Sequence, residues 1–218
     1  MTMLIGLVGF IGSGKGTVAD ILMRNHNFEK LSFADSVKDS CASIFGWPRH
    51  LLEGDTTESR EFRECRDPFW SKKFGRDFTP REALQLMGTE AGRDVFHKDL
   101  WIYTVERKLS NLTDIPVVIP DVRFPNEIKF IKKLGGHIVR VKRGDDPEWY
   151  STAYSQNTGM PKEHGSMESM YPNVHPSEWS WVGSWPDWIL YNERDLWELE
   201  TNVNYCLTAL KDPVRITA

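Results

Sequence analysis

The apolar positions of this chain fall into short blocks separated by glycine, proline and charged stretches. Leu4 to Val8 is a continuous apolar run, as in a strand buried on both faces. Val18, Ala19, Ile21 and Leu22 then resume at helical spacing. Glu29 to Phe33 reads as a second strand. Ala34-Asp35-Ser36 starts a helix with Val37, Cys41 and Ile44 or Phe45 on its stripe, and Gly46 before Trp47-Pro48 stops it. Residues 48–78 are charged and rich in arginine (Arg49, Arg60, Arg63, Arg66, Arg76), which predicts helix fragments and a mobile, solvated face rather than core. Thr79-Pro80-Arg81-Glu82 is a capping box with proline at the first helical position, and the helix runs on through Ala83, Leu84, Leu86 and Met87.

Asp99 to Leu109 predicts another helix, with Trp101 or Ile102, Val105 and Leu109 inward. Ile115 to Ile119 is a third strand. A helix follows with Ile128, Ile131 and Leu134 inward, closed by Gly135-Gly136. His137 to Lys142 and Trp185 to Tyr191 give the fourth and fifth strands. Asp195 starts a last helix that carries Leu196, Leu199, Val203, Cys206 or Leu207, and Leu210 on one face. Short strands alternating with helices predict an α/β fold, a parallel sheet with helices on both faces. Residues 144–185 show no period, and a connection of that length is a lid or binding loop. Its aromatic content argues against disorder.

A chain of 218 residues fits one α/β domain with an insertion. A net charge of −4 and a pI near 5.9 argue against a nucleic-acid groove as the main feature. Cys41, Cys65 and Cys206 are scattered, with no zinc spacing and no disulfide framework, so a reducing cytoplasm is expected. The N-terminal apolar run is too short to span a membrane and lacks a basic leader.

The chemistry concentrates between the first strand and the first helix. Gly9-Phe10-Ile11-Gly12-Ser13-Gly14-Lys15-Gly16-Thr17 joins them, and that context is what a phosphate-binding loop requires. Glycines let successive N–H groups face anionic oxygens, the helix start adds the positive end of its dipole, and Lys15 adds a point charge. The usual pattern sets Ser or Thr directly after the lysine as a magnesium ligand. Here Gly16 stands there, leaving Thr17 as the candidate hydroxyl, and Mg²⁺ is expected to be held mainly by phosphates and water.

Other polar groups fall at element ends. Ser32, Asp35 and Lys38 surround the start of the second helix. Arg81, Gln85 and Thr89 recur every four residues and share one helical face, with Arg93 one turn on. An arginine and an amide on one face suit a phosphate and a base edge. Trp101 is either core or a stacking platform. Asp121 and Arg123 follow the third strand, and ligands in open α/β sheets sit at the carboxyl ends of strands. Arg140, Lys142 and Arg143 cluster at the end of the fourth. His164 and His175 lie in the insertion, where His175-Pro176-Ser177-Glu178 is a candidate substrate contact.

Several segments together resemble the bacteriophage deoxynucleoside monophosphate kinases, and the GxGKGT loop is similar to that of adenylate kinase-type enzymes. The resemblance rests on Gly9 to Thr17, Leu31 to Lys38, Arg81 to Glu90, Asp121-Val122-Arg123 and Ile189 to Asn192. It implies a single three-layer P-loop kinase domain over residues 1–218, with a five-stranded sheet in the order 2-3-1-4-5. A monophosphate-binding region would span about 34–110 and a lid-like insertion about 144–185. It implies ATP with Mg²⁺ and a dNMP as partners, a host-cell cytoplasmic location, and it leaves a homodimer open. Gly12, Ser13, Gly14, Lys15, Gly16 and Thr17 would bind ATP phosphates, and Asn192 would lie near the adenine. Ser32, Phe33, Lys38, Arg81, Gln85, Arg93 and Trp101 would face the dNMP. Lys15, Arg123 and Asp121 would serve catalysis, with Arg143 in the lid. The rival readings are a related kinase acting on a modified base in DNA and a non-catalytic ATP-binding module. The missing NKxD motif and Gly16 argue against a GTPase switch.

Overall fold

A computed structural model describes residues 3–160 and 165–211, so His164 lies outside the described residues. The chain divides into two compact units, Met1–Leu31 with Thr113–Ala218, and Ser32–Leu112.

The first unit opens with β1 (Leu4–Val8), α1 (Lys15–His26) and β2 (Glu29–Lys30). The second unit holds α2 (Asp35–Phe45), a 3-10 turn at Arg49–Leu52, α3 (Thr57–Glu64), α4 (Pro68–Phe74), α5 (Pro80–Leu86), a π-helix over Met87–Phe96 and α6 (Leu100–Leu109). The chain then returns to the first unit with β3 (Val117–Ile119), α7 (Pro125–Lys133), β4 (His137–Lys142), α8 (Tyr150–Thr158), α9 (Met167–Met170), α10 (Pro176–Trp179), β5 (Trp188–Tyr191) and α11 (Leu196–Lys211). None of the described helices is long and apolar enough to cross a membrane.

The sheet is wholly parallel, in the order β2-β3-β1-β4-β5. β1 lies at its centre, with Gly6 opposite Ile119 on one side and Ile138 on the other. All five β1 residues are buried, as a strand covered on both faces must be. One face packs Ile5, Leu7, Val139 and Leu190 against Val18 and Leu22 of α1 and Leu199 and Val203 of α11. The strand order reverses at β1, and open α/β sheets take their ligands beside such a point, at the carboxyl ends of the strands.

Several expectations are corrected in detail. The second strand keeps ladder geometry only over Glu29–Lys30, although the Leu31 N–H still reaches the Val118 carbonyl at 3.0 Å. Leu134 and Leu196 are exposed rather than inward, because each stands at a helix terminus. Among its described residues the insertion, read as aperiodic, holds three short helices, each too brief to display a period.

Residues 48–78 are not merely a solvated face. Leu52 and Phe78 are buried with Cys41, Trp47 and Ala83, and Phe45, Phe62 and Trp70 pack around them. The Phe45 and Trp47 rings stack at 4.6 Å. The Trp47 indole N–H donates to Asp67 at 2.7 Å and that of Trp70 to the Phe45 carbonyl at 3.0 Å, so neither is buried unsatisfied. The charges close on themselves: Arg49 pairs with Asp39 and Glu53, and Lys38 with Glu53 at 2.6 Å.

Candidate active site

The loop after β1 is shaped by main-chain geometry and braced from far along the chain. Gly14 adopts φ +97° and caps α1, and a Cβ there would meet the Asn192 amide nitrogen at 2.3 Å. Both facts demand glycine. Asn192, directly after β5, donates its side-chain N–H to the Ser13 carbonyl at 2.9 Å, while its own backbone N–H reaches Lys142 O at 2.8 Å. The side chain implied to lie near an adenine is therefore used to hold the loop. No acidic residue stands in the first turn of α1, so the positive end of its dipole is uncompensated. Gly12, Gly16 and Thr17 are not buried there, whereas Ser13 is.

Lys15, the first residue of α1, turns its ammonium onto the loop, donating to Gly9 O at 2.6 Å and Phe10 O at 2.9 Å. Its pKa falls from 10.5 to about 8, chiefly through burial and then through the Arg123 guanidinium, against the opposing charges of Glu178 and Asp121. That pattern puts Asp121 and Arg123 in one field with Lys15. The insertion supplies the fourth member: Arg123 Nη1 donates to Ser177 Oγ at 3.1 Å and Glu178 Oε1 at 3.0 Å. His175 itself caps α10, accepting from the Ser177 N–H at 3.2 Å.

The aromatic residues of the insertion enclose Phe10 of the loop. Its ring meets Trp149 at 5.2 Å and Trp181 at 5.0 Å. The buried Arg140 guanidinium lies over Phe10, Tyr150 and Trp181, bonds the Tyr150 hydroxyl at 3.0 Å and pairs with Asp146. Arg143, just past β4, is exposed.

In the second unit the candidate acceptor residues are distributed unevenly. Thr79 caps α5, its hydroxyl accepting from Glu82 N–H at 3.2 Å with Pro80 at the first helical position. Arg81 and Gln85 are exposed one α-turn apart, and Arg81 pairs with Glu64. Thr89 does not continue that row, because the helix widens into the π form at Met87. Arg93 Nη1 approaches the Lys98 carbonyl at 3.5 Å. Phe33 is buried, and Ser32 Oγ accepts from Ala34 N–H at 3.1 Å. Trp101 is 6% exposed, with its indole N–H on Gly88 O at 2.8 Å. Its ring is packing material rather than an open platform, since burial leaves no face for a base.

Sequence reasoning missed Glu127 and the part Arg140 plays. The signal for Glu127 was present: an acid three residues after the N-cap, behind Pro125. Arg140 was noticed only as part of a basic cluster.

No family model matches the sequence. A protein of Acanthamoeba polyphaga mimivirus, named as a deoxynucleotide monophosphate kinase, is 36% identical over 151 residues, covering 64% of this chain and 74% of its own. The chain belongs to the deoxynucleoside monophosphate kinase family. The deoxynucleoside-5′-monophosphate kinase of Escherichia phage T5 is 26% identical over 220 residues, covering 75% of this chain and 87% of its own. Among solved structures, dephospho-CoA kinase from Campylobacter jejuni aligns over 96% of this chain and 97% of its own, with a TM-score of 0.47 at 14% identity. In this kinase, then, Lys15, Arg123 and the amide-lined loop occupy the carboxyl edge of the sheet, where α/β proteins take their ligands.

Proposed function

We propose that this kinase transfers the γ-phosphoryl group of ATP to a deoxynucleoside 5′-monophosphate, giving the diphosphate. The observation that carries this reading is the convergence of Lys15 and Arg123 on a glycine-shaped loop at a helix N-terminus. The loop amides of Gly12 to Thr17 and the start of α1 bind the triphosphate. The acceptor phosphate is already ionised at neutral pH, so no strong base is required. Catalysis is positioning, with Lys15 and Arg123 neutralising charge spread over the moving phosphoryl group.

MgATP is the substrate form. Mg²⁺ would enter with ATP, held mainly by phosphate oxygens and water as it commonly is, and Asp121 would orient that water. Arg81, Gln85, Arg93 and Lys38 of the second unit serve the acceptor nucleotide. The insertion, with Arg143 at its start, acts as a lid that excludes water and limits wasteful hydrolysis.

The test is transfer of label from γ-³²P-ATP to the four dNMPs, hydroxymethylated pyrimidine dNMPs, rNMPs and duplex DNA in parallel. Label in dNDP is expected and should be lost in Lys15→Ala. Binding of ATP with no transfer to any nucleotide, or label entering DNA alone, would overturn the reading.

A further inference from the structure

The turn after β3 carries Asp121 and Arg123, but its backbone is fixed by a residue one helical turn further on. Glu127 is 2% exposed. Its Oε2 accepts from the N–H of Arg123 at 2.8 Å and of Phe124 at 3.0 Å. Burying a carboxylate costs several kcal/mol unless charge-assisted hydrogen bonds offset it. Here two backbone donors at the start of α7 do so, helped by the helix dipole.

A capping box requires only one of those bonds, from the acid back to the N-cap N–H. That is the bond to Phe124. The second is additional, and it lands on the residue whose side chain reaches Ser177 and Glu178 and whose charge is felt at Lys15. A peptide N–H held at its own residue sets the direction in which Cα–Cβ departs. Both bonds lie within the first unit, so the effect is local to the turn.

We propose that Glu127 is a positioning residue, fixing the turn so that the Arg123 guanidinium points at the phosphate loop. The proposal deepens the kinase reading above and rests on it for its catalytic consequence. Shortening the side chain by one methylene, or removing it, frees the Arg123 peptide while leaving the guanidinium charged. Glutamine keeps a carbonyl oxygen at the same reach and still accepts both bonds.

The experiment is a double-mutant cycle of Glu127→Ala and Arg123→Ala, with Glu127→Asp and Glu127→Gln alongside. Misplacing a catalytic group by about 1 Å costs on the order of 100-fold. The expected result is that Glu127→Ala and Glu127→Asp lower kcat by roughly 10- to 100-fold at nearly unchanged KM for ATP, and that Glu127→Gln restores most of it. In the Arg123→Ala background the same changes should cost little. A purely structural role would give equal losses in both backgrounds, and that result overturns the proposal, as does an unchanged kcat in a folded Glu127→Ala.

A second readout needs no turnover. NMR titration of ¹³C-lysine-labelled protein should show the Lys15 pKa rising in Glu127→Ala, as Arg123 swings away, and not rising further in the double variant. If no dNMP is phosphorylated by the wild type yet this titration behaves as expected, the function fails and the positioning stands. If transfer occurs but Lys15 titrates identically in all variants, the positioning fails alone.

Discussion

Lys15 should destabilise the protein at neutral pH, and the cost can be measured. Its pKa falls from 10.5 in the unfolded chain to about 8 in the fold, chiefly because the ammonium is buried. Between those values the unfolded chain holds a proton that the folded chain has released. Stability therefore rises with pH across about 8 to 10.5, and the penalty is fully present below 8. At 1.36 kcal/mol per unit, the difference of 10.5 − 8 corresponds to up to about 3 kcal/mol. Lys15→Met keeps the length of the side chain and removes the charge. Urea unfolding of both proteins at half-unit steps from pH 7 to pH 10.5 cancels every other titrating group, including the buried thiols of Cys41 and Cys206. The free-energy gap, wild type minus Lys15→Met, should become more positive by about 2–3 kcal/mol over that window. ATP reverses the sign, because bound phosphates favour the ammonium. Affinity for ATP should consequently fall as pH passes 8, with proton uptake on binding. A gap that is flat with pH, or that shrinks as pH rises, would refute the argument that burial strains this lysine.

Three further outcomes follow from the geometry. Gly14→Ala combines the strain of φ +97° with a Cβ placed 2.3 Å from the Asn192 amide, so it should cost about 1–3 kcal/mol in thermal unfolding and raise KM for ATP. Adding Asn192→Ala should relieve the collision but not the backbone strain, and full recovery would contradict this division. Glu178→Gln removes a charge that raises the Lys15 pKa, so the alkaline limb of kcat/KM should move below pH 8. An alkaline limb that stays in place would show that Glu178 does not act on Lys15. Gly92→Ala would set a Cβ 2.3 Å from the Trp101 ring and 2.7 Å from the Met87 carbonyl, and overpacking of that kind costs about 1–3 kcal/mol, read as a lower denaturation midpoint.

What the sequence made legible is what short-range chemistry determines. The runs Leu4–Val8 and His137–Lys142 match β1 and β4 residue for residue, and Thr79 and Asp195 cap their helices as their positions suggest. The sheet order follows from the family resemblance, and the strands fall in it as expected. The aromatic core of residues 48–78 escaped notice because Leu52, Phe62, Trp70 and Phe78 are spread over several short elements, none long enough to show a period. The π-helix was invisible for a related reason: a stripe read at 3.6 residues per turn carries no sign that the turn widens at Met87. Within the candidate site, Lys15, Asp121 and Arg123 were singled out because strand ends gather ligand groups, and the fold brings the three within one electrostatic field. The partnership of Arg123 with Ser177 and Glu178 was not, since residues 54 and 55 positions away are brought together by packing alone.

The bond from Asn192 to Ser13 spans 179 residues of chain. Such a contact closes late, since the loop entropy of a long separation must be met before the contact rewards it. During synthesis the glycine turn leaves the ribosome early, but its strut arrives only after β5 has been made. The loop is thus made long before its strut, and nascent chains that end before Asn192 carry the motif unbraced.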